Sequence, residues 1–388
     1  MPLSPAEITL ARRALLPAGL SDGLPPEAAH RAAIEQRLMA IVAGQGYDRV
    51  EPPLVEFEDT LLKGAAGVSA QTFRLMDPIS QQMMGVRADM TIQVARIATT
   101  RLAQAPRPLR LSYAGEVLRV KGSQLRPERQ FTQVGCELIG AAGVEADVEI
   151  IHLAADALRE AGVATLSVDL LVPPLVPALF ESLEVAPELA QMLRAALDRK
   201  DADAVAAAGG RVADILGGLL AATGPARGAL VLLTSADLPA EVAPQRARLV
   251  AVAEALLAAI PDLHLTLDPV ENRGFEYHTG VGFTLFATGV RGELGRGGRY
   301  HAGAQAETAI GFSLYMDSLL RAISPPPPAR KLFLPHGAGS EARRRLAQEG
   351  WVVISGLEPV ADAAAEARRL GCRHLLAGDE IVASGLGA

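Results

Sequence analysis

The chain has 388 residues, a formal charge of −7 and an apolar share of 49%, enough for about two domains with a sizeable core. The acidic balance, without a long basic stripe, argues against a strong nucleic-acid binder, although net charge says little about one local groove. No apolar run of about 18 residues marks a membrane span, the N-terminus lacks a signal-peptide plan, and Cys136 and Cys372 make no disulfide framework, so the cytoplasm is the expected location.

In chain order, residues 1 to 21 read as an extended lead-in. Glu27 to Ala43 is a helix with Ile34, Leu38, Ile41 and Val42 on one face, stopped by Gly44 and Gly46. Tyr47 to Pro53 reads as a strand broken by two prolines. Leu109 to Val120 and Arg129 to Ile139 form an antiparallel hairpin around a polar tip, Lys121 to Glu128. Asp147 to Glu160 is the next helix, ended by Gly162. Val163 to Leu267, rich in Ala and Leu, reads as a mostly helical insertion. Strand-like sequence returns at Asn272 to Ala287 and Arg296 to Tyr300. The Pro325 to Pro328 run is a stiff linker, dividing a core domain, residues 1–324 with its insertion at about 163–267, from a small α/β domain, residues 329–388. In that tail Lys331 to Leu334, Trp351 to Ser355 and His374 to Ala377 are strand candidates separated by helix-like stretches.

The second strand of the hairpin carries the first chemical signal. Side chains alternate along a strand, so Arg129, Gln133 and Glu137 share a face. Gln133 and Glu137 stand roughly 13 Å apart at about 3.3 Å per residue, enough to grip both ends of a small zwitterion; a solvated polar face is the other reading of the same pattern. The seven histidines show no H-x-x-x-H spacing and the cysteines no C-x-x-C, so no metal site is expected. The glycines from Gly292 to Gly298 lack the Lys-Ser/Thr ending of a phosphate loop.

Five segments carry a resemblance. Gly115 to Gln133 is similar to motif 2 of the histidyl-tRNA synthetase family and aligns without gaps to G-x-x-F-R-x-E-R-P-Q-x-G-R-x-R-Q-F-H-Q. Val86 to Thr91 resembles that family's L-R-P-E-x-T, Asn272 to Gly280 its signature R-G-L-D-Y-Y-T-G, and Gly297 to Tyr300 the start of G-G-R-Y-D-G. Thr308 to Leu320 resembles motif 3 of class II aminoacyl-tRNA synthetases, G-F-x-x-G-x-E-R-L-L. The resemblance covers roughly residues 10 to 322. It implies an α+β fold, a mostly antiparallel sheet flanked by helices, and dimerisation through motif 1 near Gly46 to Glu56. It also implies a histidine site. Asp89 and Thr91 would receive the ammonium, Gln133 would bridge to the amino-acid backbone, and Glu137 would accept from the imidazole N–H. Arg273 would hold the carboxylate, Tyr277 belongs to the same signature, and Tyr300 would wall the ring. Arg119 and Arg129 would keep some anion-binding capacity.

The departures fall elsewhere. Lys121 stands at the motif 2 Glu, Gly122 at the next Arg, Ser123 at a Pro, Arg126 at a Gly and Thr132 at the His before Gln133; His278 replaces a Tyr and His301 an Asp. Ser318 stands at the motif 3 Arg, and a hydroxyl cannot replace a guanidinium fork facing a polyphosphate. Positions touching the amino acid are mostly kept, and several touching ATP and Mg2+ are lost. The tail is also shorter than the family's anticodon-binding domain. The pattern is similar to that of the non-catalytic paralogues that serve as regulatory subunits of ATP phosphoribosyltransferase in bacterial histidine biosynthesis. That resemblance implies a glycosyltransferase complex with a short-form catalytic subunit, a homodimeric core within a hetero-oligomer, L-histidine as a ligand and feedback inhibitor, no catalytic residues, cofactor or tRNA, and lost aminoacylation. A divergent, active histidyl-tRNA synthetase is the alternative.

Overall fold

The computed structural model describes residues 15–62, 69–123, 126–272, 277–303 and 306–385, and the chain separates into two units, Met1–Ser324 and Pro325–Ala388. Helix α1 (Glu27–Gly44) buries Ile34, Leu38, Met39 and Val42 at helical spacing. The chain then turns at Gly46, whose φ of +82° suits a residue without a Cβ. The strand expected over Tyr47 to Pro53 shrinks to β1 (Asp48–Arg49), because Pro52 and Pro53 have no N–H to give a ladder. β2 (Val55–Phe57), β3 (Phe73–Met76) and β4 (Met83–Val86) form a small antiparallel sheet in the order β2-β4-β3, with the one-turn α2 (Glu58–Leu61) after β2. α3 (Thr91–Thr99) leads into β5 (Leu109–Leu118), which pairs with β6 (Gln130–Ile139) in unbroken antiparallel register. α4 (Val144–Ala161) follows and ends on the left-handed Gly162.

The segment from 163 to 267 is helical only in its middle. Its ends are strands of the main sheet, β7 (Leu166–Leu171) and β9 (His264–Asp268), paired parallel. Between them lie α5 (Leu175–Ser182), α6 (Pro187–Asp198), α7 (Ala202–Ala207), α8 (Gly210–Ala221), the two-residue β8 (Gly224–Pro225), α9 (Ala226–Ser235) and α10 (Ala243–Ala259). Both end strands alternate apolar and polar residues, Leu166-Ser167-Val168-Asp169-Leu170 and His264-Leu265-Thr266-Leu267-Asp268, a short period-two signal that the Ala- and Leu-rich composition of the whole segment masks. Of the strand expected over Asn272 to Ala287, the described residues form β10 (Gly282–Ala287), and residues 273–276 lie outside the described ones; β11 (Gly295–Ala302), β12 (Glu307–Tyr315) and α11 (Met316–Ala322) complete the unit. The resulting nine-stranded sheet has the order β1-β5-β6-β12-β11-β10-β7-β9-β8 and is antiparallel except at β1–β5 and β7–β9.

Strand alternation along β6 assigns its residues to two cores. Val134, Cys136 and Leu138 join the large core with α1, α4 and the insertion. Phe131 and Ile139 join a smaller core with Met90, Val94 and Ala98 of the α3 segment. Each fully buried Leu or Ile contributes about 1.5–3 kcal/mol. Gln133 and Glu137 fall on the side of the smaller core, where a polar group must find internal partners.

The second unit carries β13 (Lys331–Leu334), α12 (Ser340–Gln348), β14 (Val352–Ser355), α13 (Ala363–Arg369), β15 (His374–Ala377) and β16 (Glu380–Ala383) in a sheet ordered β14-β13-β15-β16. β16, which pairs antiparallel with β15, adds a fourth strand to the three read from sequence.

Candidate functional site

Strands β5, β6, β11 and β12 and the start of α3 bring polar side chains together on that inner face. Gln133 is fully buried. Its Oε1 accepts the backbone N–H of Met90 at 3.0 Å, and its Nε2 donates to Ser313 Oγ at 2.6 Å and to Asp89 Oδ2 at 3.2 Å. Asp89 Oδ1 accepts the N–H of Thr91 at 2.8 Å. Ser313 Oγ lies 3.1 Å from the Tyr113 hydroxyl, which lies 3.2 Å from Thr91 Oγ1 and donates to Glu137 Oε1 at 3.1 Å. Tyr300 donates to Glu137 Oε2 at 2.9 Å. Since Gln133 donates to Ser313 and Tyr113 donates to Glu137, the Ser313 hydroxyl must donate to Tyr113. One directed chain therefore runs from Gln133 to Glu137.

Glu137 is 1% exposed. Burial pushes its carboxyl up to about 8, against the opposing pull of the Tyr300 and Tyr113 hydroxyls. Burial likewise lifts both tyrosines well above the usual phenol range, which keeps them as donors. Glu137 fits only because Gly311 is its cross-strand partner: a Cβ there would overlap Oε2. Tyr113 fits because Gly135 stands opposite it, where a Cβ would overlap the hydroxyl.

Of the residues expected at a histidine site, Asp89, Thr91, Gln133, Glu137 and Tyr300 lie in this one network. Tyr277 stands at its edge, 57% exposed, with its ring 6.4 Å from that of Tyr300. Arg273 lies outside the described residues. Arg119 and Arg129 do not join the network. Arg119 Nε donates to the Ala88 carbonyl at 3.4 Å, beside Asp89. Arg129 donates to the carbonyls of Arg119 at 3.2 Å and Ala18 at 3.1 Å and lies over Phe73; it fastens the lead-in to the hairpin. Tyr113 and Ser313 are site residues the motif reading passed over. Behind Tyr300, Arg299 donates to the fully buried Asp147 at 2.7 Å, and Arg248 of α10 donates to its other oxygen at 2.6 Å. This triad ties the insertion and α4 to β11. Among the described residues, no group of three His, Cys, Asp or Glu side chains is placed to hold a metal ion, and no helix is long and apolar enough to cross a membrane.

The fold and this network define a class II, histidyl-tRNA synthetase-like protein, and the family model described as Histidyl-tRNA synthetase matches residues 19–319. A crystal structure of an ATP phosphoribosyltransferase regulatory subunit/histidyl-tRNA synthetase from Bacillus halodurans C superposes with a TM-score of 0.79 at 25% identity, over 92% of this chain and 96% of that one. The ATP phosphoribosyl transferase (HisG:HisZ) complex from Thermotoga maritima shares the fold, with a TM-score of 0.59 at 16% identity over 74% of this chain and 97% of that one. An ATP phosphoribosyltransferase regulatory subunit from Rhodospirillum centenum is 56% identical over 381 residues, 98% of this chain and 97% of the relative. The chain belongs to the family of ATP phosphoribosyltransferase regulatory subunits.

Proposed function

We propose that this chain acts without catalysis of its own, as the histidine-sensing partner of a short-form ATP phosphoribosyltransferase catalytic subunit. In this reading it is cytoplasmic, has a homodimeric core within a hetero-oligomer and is required for the first step of histidine biosynthesis. The observation that carries it is a contrast inside one fold. A complete polar network with amino-acid-binding chemistry runs from Asp89 to Glu137, while the motif 3 position that should face a polyphosphate is the fully buried Ser318, which accepts from Arg321 at 3.1 Å.

Asp89 and Thr91 supply a carboxylate and a hydroxyl for an ammonium group. Glu137 and Tyr300 supply the polar end for the imidazole, with Tyr277 at the edge and Arg273 for the carboxylate. A protonated Glu137 both donates and accepts, which suits a ring carrying one N–H and one bare nitrogen. Arg119 is the candidate for any residual anion contact. Histidine binding coupled to the catalytic partner by 1–3 kcal/mol, the usual range, is enough for feedback control.

Calorimetric titration with L-histidine tests the site. Saturable binding by the wild type and at least a tenfold loss in Asp89→Asn are expected. Histidine-dependent ATP–pyrophosphate exchange by the same preparation should stay at background; sustained turnover would overturn the non-catalytic reading.

A further inference from the structure

The face of β6 that carries Glu137 and Gln133 continues to Phe131, one pleat or about 7 Å further along. There Phe131 meets Tyr315, the cross-strand partner of Gln133, edge to face with centroids 5.7 Å apart. Over this aromatic pair sits Arg126, 6% exposed, its guanidinium carbon 3.7 Å from the Tyr315 centroid and 4.4 Å from that of Phe131. Asp317 holds its Nε at 3.3 Å and Glu293 its Nη1 at 3.5 Å. Two hydrogen bonds hold its backbone: Ser123 N–H donates to the Arg126 carbonyl at 2.7 Å, and Arg126 N–H donates to Ser123 Oγ at 3.0 Å. Even so, Arg126 Nη2 and Asp317 Oδ1, both buried, have no hydrogen-bond partner among the described residues. Leaving such atoms unmade costs stability, so the arrangement is not optimised as a packing device.

We infer that Arg126 is an internal plug: its planar guanidinium fills an aromatic slot, continuous with the polar network, that a planar heteroaromatic ring such as a purine would otherwise occupy, and so confines the site to an amino-acid-sized ligand. The chemistry of the slot supports this. Guanidinium groups stack on aromatic faces as rings do and cannot lose their charge at any working pH. Without Arg126, the slot would present two aromatic rings for stacking and two carboxylates to accept from an exocyclic amine, with Arg119 5.0 Å from the Phe131 centroid. Arg126 stands where the motif 2 pattern has a glycine, which would leave the slot open. The inference rests on the amino-acid reading of the adjoining network, and its test separates the two.

The test titrates the full chain with adenosine and, in parallel, with L-histidine, using wild type, Arg126→Gly, and Arg126→Gly combined with Asp317→Asn. The double variant removes the charges of Arg126 and Asp317 and leaves only that of Glu293, so it stays informative where the single variant fails to fold. Adenosine should show no saturable binding to the wild type and bind at least tenfold more tightly to a folded variant, with the histidine isotherm unchanged. Equal adenosine binding by wild type and variant, or none by a folded variant that still binds histidine, overturns the plug. Loss of histidine binding in the wild type would count against the amino-acid site, and the adenosine arm would still decide the slot.

Discussion

Replacing Glu137 with Gln makes a sharp test of the network, because the substitution keeps shape and removes only the capacity to ionise. The carboxyl moves from an ordinary 4.5 to about 8 on folding. An acid whose folded value is raised holds its proton longer in the native state, so folding is favoured fully below about pH 4.5 and loses stability as pH rises toward 8. At about 1.36 kcal/mol per pKa unit, the whole displacement is worth on the order of 5 kcal/mol, and roughly half of it falls between pH 5.5 and pH 7.5. Glu137→Gln should therefore gain on the wild type by roughly that amount over this interval. Urea unfolding followed by circular dichroism at both pH values measures the gain; the single tryptophan, Trp351, lies in the second unit and would report the wrong part of the chain. A wild-type-to-variant difference that stays constant from pH 5.5 to pH 7.5 would refute the neutral, buried carboxyl.

Three further outcomes follow from the same geometry. Asp147→Ala leaves Arg299 buried and unpaired and should cost about 3–5 kcal/mol, read by chemical denaturation, with Asp147→Asn milder. Gly311→Ala places a methyl on Glu137 Oε2 and should abolish histidine binding while destabilising by more than about 2 kcal/mol, measured by titration and thermal melts. Ser313→Ala breaks the directed chain between Gln133 and Tyr113; a cost of about 1–3 kcal/mol for the unsatisfied donor and weaker histidine binding in calorimetry are expected.

The hairpin was legible because its alternation is strong and both its strands are long; period two put Gln133 and Glu137 on one face, but it put Arg129 there too, which does not join the network, and the reading of that face as a histidine site came from the resemblance. Tyr113 was within reach of the same logic. Directly opposed residues of an antiparallel pair share a face, and Tyr113 faces Gly135, between Gln133 and Glu137. Ser313 was not, since its place depends on the pairing of β12 with β6, strands about 180 residues apart that no local pattern links. The helical insertion showed in composition, yet its end strands β7 and β9 alternate apolar and polar residues; so short a period-two pattern is lost beside a long Ala- and Leu-rich stretch. β16 was not read from sequence, although β13, β14 and β15 are equally short; its residues are mostly exposed. Arg126 was visible only as a departure from a glycine; that it lies over Phe131 and Tyr315 is set by the hairpin tip and α11 together.

The central claim is a regulatory role exerted on a separate catalytic chain. Its most direct test mixes this protein with a short-form ATP phosphoribosyltransferase and follows phosphoribosyl-ATP formation with and without L-histidine. The account predicts activity that rises on mixing, falls when histidine is added, and becomes histidine-insensitive with Asp89→Asn. A catalytic subunit whose rate is unchanged by this chain, with or without histidine, would contradict it.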